Sequence, residues 1–126
     1  MKKVISTKNA PEVIGPYSQA VKAGDFVFFS GQLGINPATG EFISNSITEQ
    51  TEQIFKNITA ILDEIGLTLK NIVKTTVFLS DISNFAVMNE IYSKYFIPHP
   101  YPARSVIAVK TLPKNALIEI EVVAIY

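Results

Sequence analysis

Apolar positions recur along this chain in two rhythms, one of three to four residues and one of two. Ile47, Thr51, Ile54, Phe55, Ile58, Ile61, Leu62 and Ile65 follow the first, the spacing that gathers a single stripe on a helix. Ser46-Ile47-Thr48-Glu49 just ahead fits a capping box, in which the serine hydroxyl and the glutamate three residues on satisfy each other's free backbone N–H groups. Gly66 supplies a C-cap. A second helix is predicted after Asp81 or Ser83 as N-cap, with Phe85, Met88, Ile91, Tyr92 and Tyr95 on one side and Pro98 as its stop. Beyond it, His99-Pro100-Tyr101-Pro102 reads as a stiff extended connection, because a residue before proline is pushed out of the helical region.

The second rhythm predicts six strands: 4–7 (VIST), 19–23 (QAVKA), 26–33 (FVFFSGQL), 71–80, 104–111 and 117–125. Gly24-Asp25 is a tight hairpin turn between the second and third, and LPKNA joins the last two. The order β-β-β-α-β-α-β-β, with helices that each carry one apolar stripe, predicts an α+β fold in which two helices cover one face of a mixed six-stranded sheet. The other face, with residues such as those of FVFF, is too apolar for water and argues for an oligomer. No repeat or linker interrupts residues 1–126, which are expected to form one domain.

Composition narrows the chemistry. Lys plus Arg and Asp plus Glu each number 11, so no overall field draws the protein to nucleic acid or a membrane surface, and a small, weakly charged ligand fits better. The absence of cysteine removes disulfides, thiolate metal sites and thiol nucleophiles, and the single histidine, His99, builds neither a zinc site nor a Ser-His-Asp arrangement. Neither a G-x-G-x-x-G nor a G-x-x-x-x-G-K-[ST] phosphate cradle occurs. Met1-Lys2-Lys3 is followed by no apolar stretch long enough for a signal peptide, and no run is long enough to span a membrane. The expectation is a soluble, cytoplasmic protein without metal.

Carboxylate, arginine, hydroxyl and water remain. Arg104, at the mouth of the apolar run PARSVIAV, carries a permanent planar charge that matches a carboxylate bidentately; its ordinary alternative is a strand-end cation reaching solvent. Glu119 and Glu121 alternate in IEIEV and share a side with Val123 and Ile125, so apolar walls would raise a carboxyl there toward the range useful for proton transfer; the plain alternative is a solvated face. Tyr17 follows Gly15-Pro16, and Ser30-Gly31 interrupts a strand where glycine marks a bulge or a close approach. Asn89 lies on the polar flank of the second helix.

Taken together, NAP (9–11), IGPYSQA (14–20), SGQ (30–32), NP with TG (36–40), VKTTVFL (73–79), PARS (102–105) and LPK with IEIE (112–121) resemble the RidA (YjgF-type) family of reactive intermediate deaminases, in order and over almost the whole chain. The resemblance implies a chorismate-mutase-like fold, a homotrimer with ligand clefts between subunits, and cofactor-free hydrolysis of 2-imino acids from pyridoxal-phosphate-dependent dehydratases to 2-keto acids and ammonia. Matched motif to motif, Arg104 would grip the substrate carboxylate and Glu119 would position or activate water, while Tyr17, Ser30, Gly31 and Asn89 line the cleft. Many members carry cysteine where this chain has Val106, which would touch ligand through backbone and bulk alone.

If the last two strands paired as a hairpin about Lys114, Arg104 would lie opposite position 124, about 17 Å from Glu119 along the sheet. With another strand between them they would be no closer, so joint action would need side-chain reach or, the favoured alternative, a neighbouring subunit. Two other readings stay open: a non-catalytic regulator that binds small carboxylates, and an RNA-directed activity, against which the zero net charge and the lack of a basic stripe both count.

Overall fold

The computed structural model describes residues 1–126. Its strands are β1 (Lys2–Ile5), β2 (Ala20–Ala23), β3 (Phe26–Phe29), β4 (Gln32–Leu33), β5 (Ile72–Leu79), β6 (Ala103–Ala108) and β7 (Ile118–Ile125). Helix α1 (Ile47–Glu64) connects β4 to β5, and α2 (Phe85–Phe96) connects β5 to β6. The sheet runs β1-β2-β3-β7-β5-β6, with β4 also on β7. Every pairing is antiparallel except β5 with β6, the two strands joined through α2. The predicted α+β architecture and element order are therefore present. No helix is long and apolar enough to cross a membrane.

Two expectations change. The run 26–33 is not one strand: between the pairs Phe28↔Val123 and Gln32↔Ile120 it uses four residues against three on β7. That extra residue is a β-bulge at Ser30-Gly31, and it gives a seven-stranded sheet in place of six. The last two strands are also not a hairpin, because β5 lies between β6 and β7 and pairs with both. The β5–α2–β6 crossover claims the edge beside β5, which leaves β7 to enter between β3 and β5.

Helix α1 starts where the sequence predicts, with Ser46 accepting from Glu49 N–H at 3.3 Å. The reciprocal arm of the capping box is replaced by Ser44, whose hydroxyl accepts from Ser46 N–H at 3.1 Å. At the other end Gly66, at φ +72°, closes a Schellman motif: its N–H reaches the Asp63 carbonyl and that of Leu67 the Leu62 carbonyl. Asp81 caps a short 3₁₀ turn, Ile82–Asn84, that leads into α2.

The helices bury Ile54, Phe55, Ile58, Ile61, Leu62, Met88 and Phe96 against Val27, Val77, Leu79, Ile118 and Ile120 of the sheet. One flank of α1 is buried and polar. Gln50 donates to the Ser44 carbonyl and accepts from Leu117 N–H, while Asn57 donates to the carbonyls of Leu33 and Ile35. These side chains tie down strand ends whose backbone groups have left the ladder. The opposite face of the sheet has no helix, and Phe26 and Phe28 stand 44% and 46% exposed on it.

Candidate functional site

Arg104 pairs in parallel register with Thr75, which is fully buried beneath the helices, so the arginine leaves the sheet on the helix-covered face. Its Nη1 donates to Asn89 Oδ1 on α2 at 2.7 Å. The guanidinium lies 4.6 Å from the centre of the Tyr92 ring and 5.7 Å from that of Phe85. Tyr92 and Thr75 share a hydrogen bond of 2.7 Å between their hydroxyls. Burial raises the Tyr92 phenol above its usual range, opposed by that bond and by the nearby Arg104 charge. A cavity of about 360 Å³ opens here between Asn89, Ser93, Tyr101, Pro102 and Arg104. Val106 is half-buried two residues further along, on the same face, packed against the core. The partners that hold the guanidinium are neutral, and the remaining donors of its fork are free for an anion.

Glu119 belongs to a second cavity, of about 510 Å³, which it shares with Tyr17, Ser30, Gly31 and Lys114. Alternation along β7 buries Ile118 and Ile120 under the helices and sends Glu119 to the open face. A side chain at Gly31 would overlap the Glu119 carboxylate, so glycine lets that carboxylate lie flat against the bulged strand. Burial raises the Glu119 carboxyl above its ordinary value, and the Glu121 charge on the same face raises it further. Ser30 Oγ donates to the Ser18 carbonyl, which leaves its lone pairs for a ligand's donor. The loop bearing Tyr17 is stapled by buried Gln19, which accepts from Thr7 N–H at 2.7 Å and donates to the Thr7 and Pro11 carbonyls at 3.0 and 2.9 Å. Across the cavity Lys114 and Asn115 hold left-handed backbone, at φ 56° and 58°, a conformation that costs non-glycine residues energy and clusters at functional sites. A further hollow of about 520 Å³, sharing Tyr17 and Ser30, continues beside Phe28.

The structure thus sorts the candidate residues into two groups. Tyr17, Ser30, Gly31 and Glu119 come together on one face; Asn89, Arg104 and Val106 lie on the other. Through Thr75, Arg104 aligns with Val122 and not with residue 124. It is three residues from Glu119 along the sheet, about 10 Å, and two strands across, about 10 Å more. Because the two side chains also leave opposite faces, they do not meet within one chain. No group of three or more His, Asp or Glu side chains converges as a metal site.

Sequence reasoning does not find Gln19 and Lys114 as lining of the Glu119 cavity, nor Thr75 as the buried partner of the Tyr92 hydroxyl beside Arg104. A tyrosine in a helix stripe is a weak signal that its hydroxyl has a partner. Lys114 gave none, since its role follows from backbone geometry at a turn.

The family profile described as Endoribonuclease L-PSP matches residues 7–126. A human 2-iminobutanoate/2-iminopropanoate deaminase is 46% identical over 125 residues, covering 99% of this chain and 90% of that protein. The crystal structure of the Rid family protein YyfA from Yersinia pestis superposes with a TM-score of 0.98 at 50% identity, over 100% of both chains. That of E. coli TdcF with bound serine does so with a TM-score of 0.93 at 41% identity, over 98% of both chains.

Proposed function

The chain belongs to the Rid (YjgF/L-PSP) family, and from that premise we propose that it is a cofactor-independent imine deaminase. It hydrolyses 2-iminobutanoate, 2-iminopropanoate and similar imines, formed from the enamine products of pyridoxal-phosphate-dependent dehydratases, to 2-keto acids and ammonia. The observation that carries this reading is the setting of Arg104: a guanidinium braced by an amide and aromatic rings, with donors free, suits a ligand carboxylate. The relative with bound serine, a small molecule with nitrogen on the carbon next to its carboxylate, supports the substrate class.

Arg104 binds the carboxylate and so fixes the position of the neighbouring C=N carbon. Glu119, ionised, takes a proton from a water molecule as the water oxygen bonds to that carbon and the C=N electron pair moves to nitrogen. That proton passes to the nitrogen of the resulting carbinolamine; as the C–N bond breaks Glu119 takes the hydroxyl proton, so that iminium and water become ketone, ammonia and a proton left on Glu119. The iminium carbon is already electrophilic, so placement and one proton carrier suffice. Tyr17, Ser30 and Gly31 line the Glu119 side of the cleft and Asn89 the Arg104 side, while Val106 contributes bulk. Because the halves open on opposite faces of one chain, the complete site forms between copies, in a homotrimer whose contacts cover the apolar face bearing Phe26 and Phe28.

Coupling a threonine dehydratase to this protein and following the imine by absorbance tests the reading. Wild type accelerates decay. Arg104→Ala loses at least about tenfold in kcat/KM, the worth of hydrogen bonds to a charged group. Glu119→Gln loses about 10²-fold or more in kcat while still binding 2-oxobutanoate. Equal decay with and without protein would leave a carboxylate-binding regulator in its place.

A further inference from the structure

Tyr92 is 3% exposed, and a phenylalanine would fill its apolar position equally well. The hydroxyl therefore needs its own account. It meets Thr75 Oγ1 at 2.7 Å, and Thr75 is the residue of β5 directly beside Arg104 of β6. The ring is held by Phe96, with centroids 4.9 Å apart, and by the edge-to-face contact of Phe55 at 5.8 Å. The guanidinium sits over the ring, 4.6 Å from its centre. Asn89, one helical turn before Tyr92, holds Nη1. The ring thus lies under the guanidinium charge, and the amide ties one arm of its fork to α2.

We propose that Tyr92 is the positioning residue for the Arg104 guanidinium, pinned for that task by Thr75. The inference rests on Arg104 being the carboxylate clamp. A guanidinium on a flexible stem samples many orientations, and a bidentate carboxylate accepts few. An aromatic platform under the charge selects among them without neutralising it, which an aspartate in the same place would do. The expected signature is a change in ligand affinity and KM, with the chemical step at Glu119 untouched.

The test measures 2-oxobutanoate affinity by calorimetry and deaminase kinetics for Tyr92→Leu, Tyr92→Phe, Thr75→Val and Arg104→Ala. Tyr92→Leu weakens binding and raises KM by about tenfold, within the span of a desolvated cation–π contact, and leaves kcat within about twofold. Tyr92→Phe keeps the platform but loses the same hydrogen bond as Thr75→Val, so it raises KM by about threefold with kcat unchanged, whereas a purely structural role would not separate phenylalanine from leucine in KM alone. Thr75→Val, which frees the ring without removing it, raises KM by about threefold. It remains informative if Tyr92→Leu does not fold: an unchanged KM in Thr75→Val would then overturn the proposal. Wild-type affinity in folded Tyr92→Leu, with binding lost in Arg104→Ala, overturns the positioning role and leaves the clamp intact. Wild-type affinity in Arg104→Ala removes the clamp itself, and the positioning role with it.

Discussion

Glu119 and Arg104 show how far a single residue can be read from its neighbours. The alternation IEIE put Glu119 among apolar residues, and burial in the folded chain does raise its carboxyl, with Glu121 adding to the effect. A general base acts only when ionised, so the acid limb of log kcat/KM should bend above the ordinary value of 4.5, and Glu121→Gln should move it lower by removing the like charge. A limb at or below 4.5 in both proteins would exclude Glu119 as the base. The same shift affects stability with a definite sign. The folded protein binds this proton more tightly than the unfolded chain, so the contribution is present below 4.5 and lost as pH rises through the raised value. Thermal melts at pH 7 should therefore find Glu119→Gln more stable than wild type. For Arg104 the sequence left open a surface cation or a clamp. Its contacts with Asn89 and Tyr92 exclude the free surface cation, and no spacing rule could have shown them, because they join a strand to a helix 15 and 12 positions earlier in the chain.

At the scale of elements, the two helices and most strands were legible because period and caps are local. The capping serine, the Gly66 terminus and the stop before Pro98 each depend on residues within one turn of their position. The bulge was only half legible: glycine inside a strand marks an irregularity, but the one-residue slip exists only against β7. Gly34 was unreadable in advance. A side chain there would lie 2.7 Å from Gln50 Cα and 2.9 Å from the Gln50 carbonyl oxygen, so backbone meets backbone where the end of β4 crosses α1. Helix backbone does not yield as a flexible side chain would. Gly34→Ala should cost about 1–3 kcal/mol in a denaturant melt, the usual penalty of overpacking. An unchanged midpoint would show that β4 is free to move away from α1.

For the whole molecule, the decisive feature is that the two cavities face opposite sides of one sheet. If each complete site takes Arg104 from one copy and Glu119 from another, two inactive variants should complement each other. Arg104→Ala and Glu119→Gln, unfolded together and refolded as a one-to-one mixture, should regain about a quarter of wild-type sites by random assembly of a closed ring. Each protein refolded alone should remain inactive. Dehydratase-coupled turnover gives the readout, and a mixture no more active than its components would place both residues in one chain's own site.

By itself, the sequence determined the helices, the alternation of the strands, the α+β class and which residue types were available for chemistry. These follow from periodicity, capping and composition, which act over a few neighbouring positions. Only the tertiary structure decided that β7 lies beside β5, that the run 26–33 breaks over Glu119, and that Arg104 and Glu119 point away from each other. Strand order and facing depend on which distant segments share hydrogen bonds. A one-residue slip in such pairing sends a side chain to the other face while leaving the local pattern unchanged.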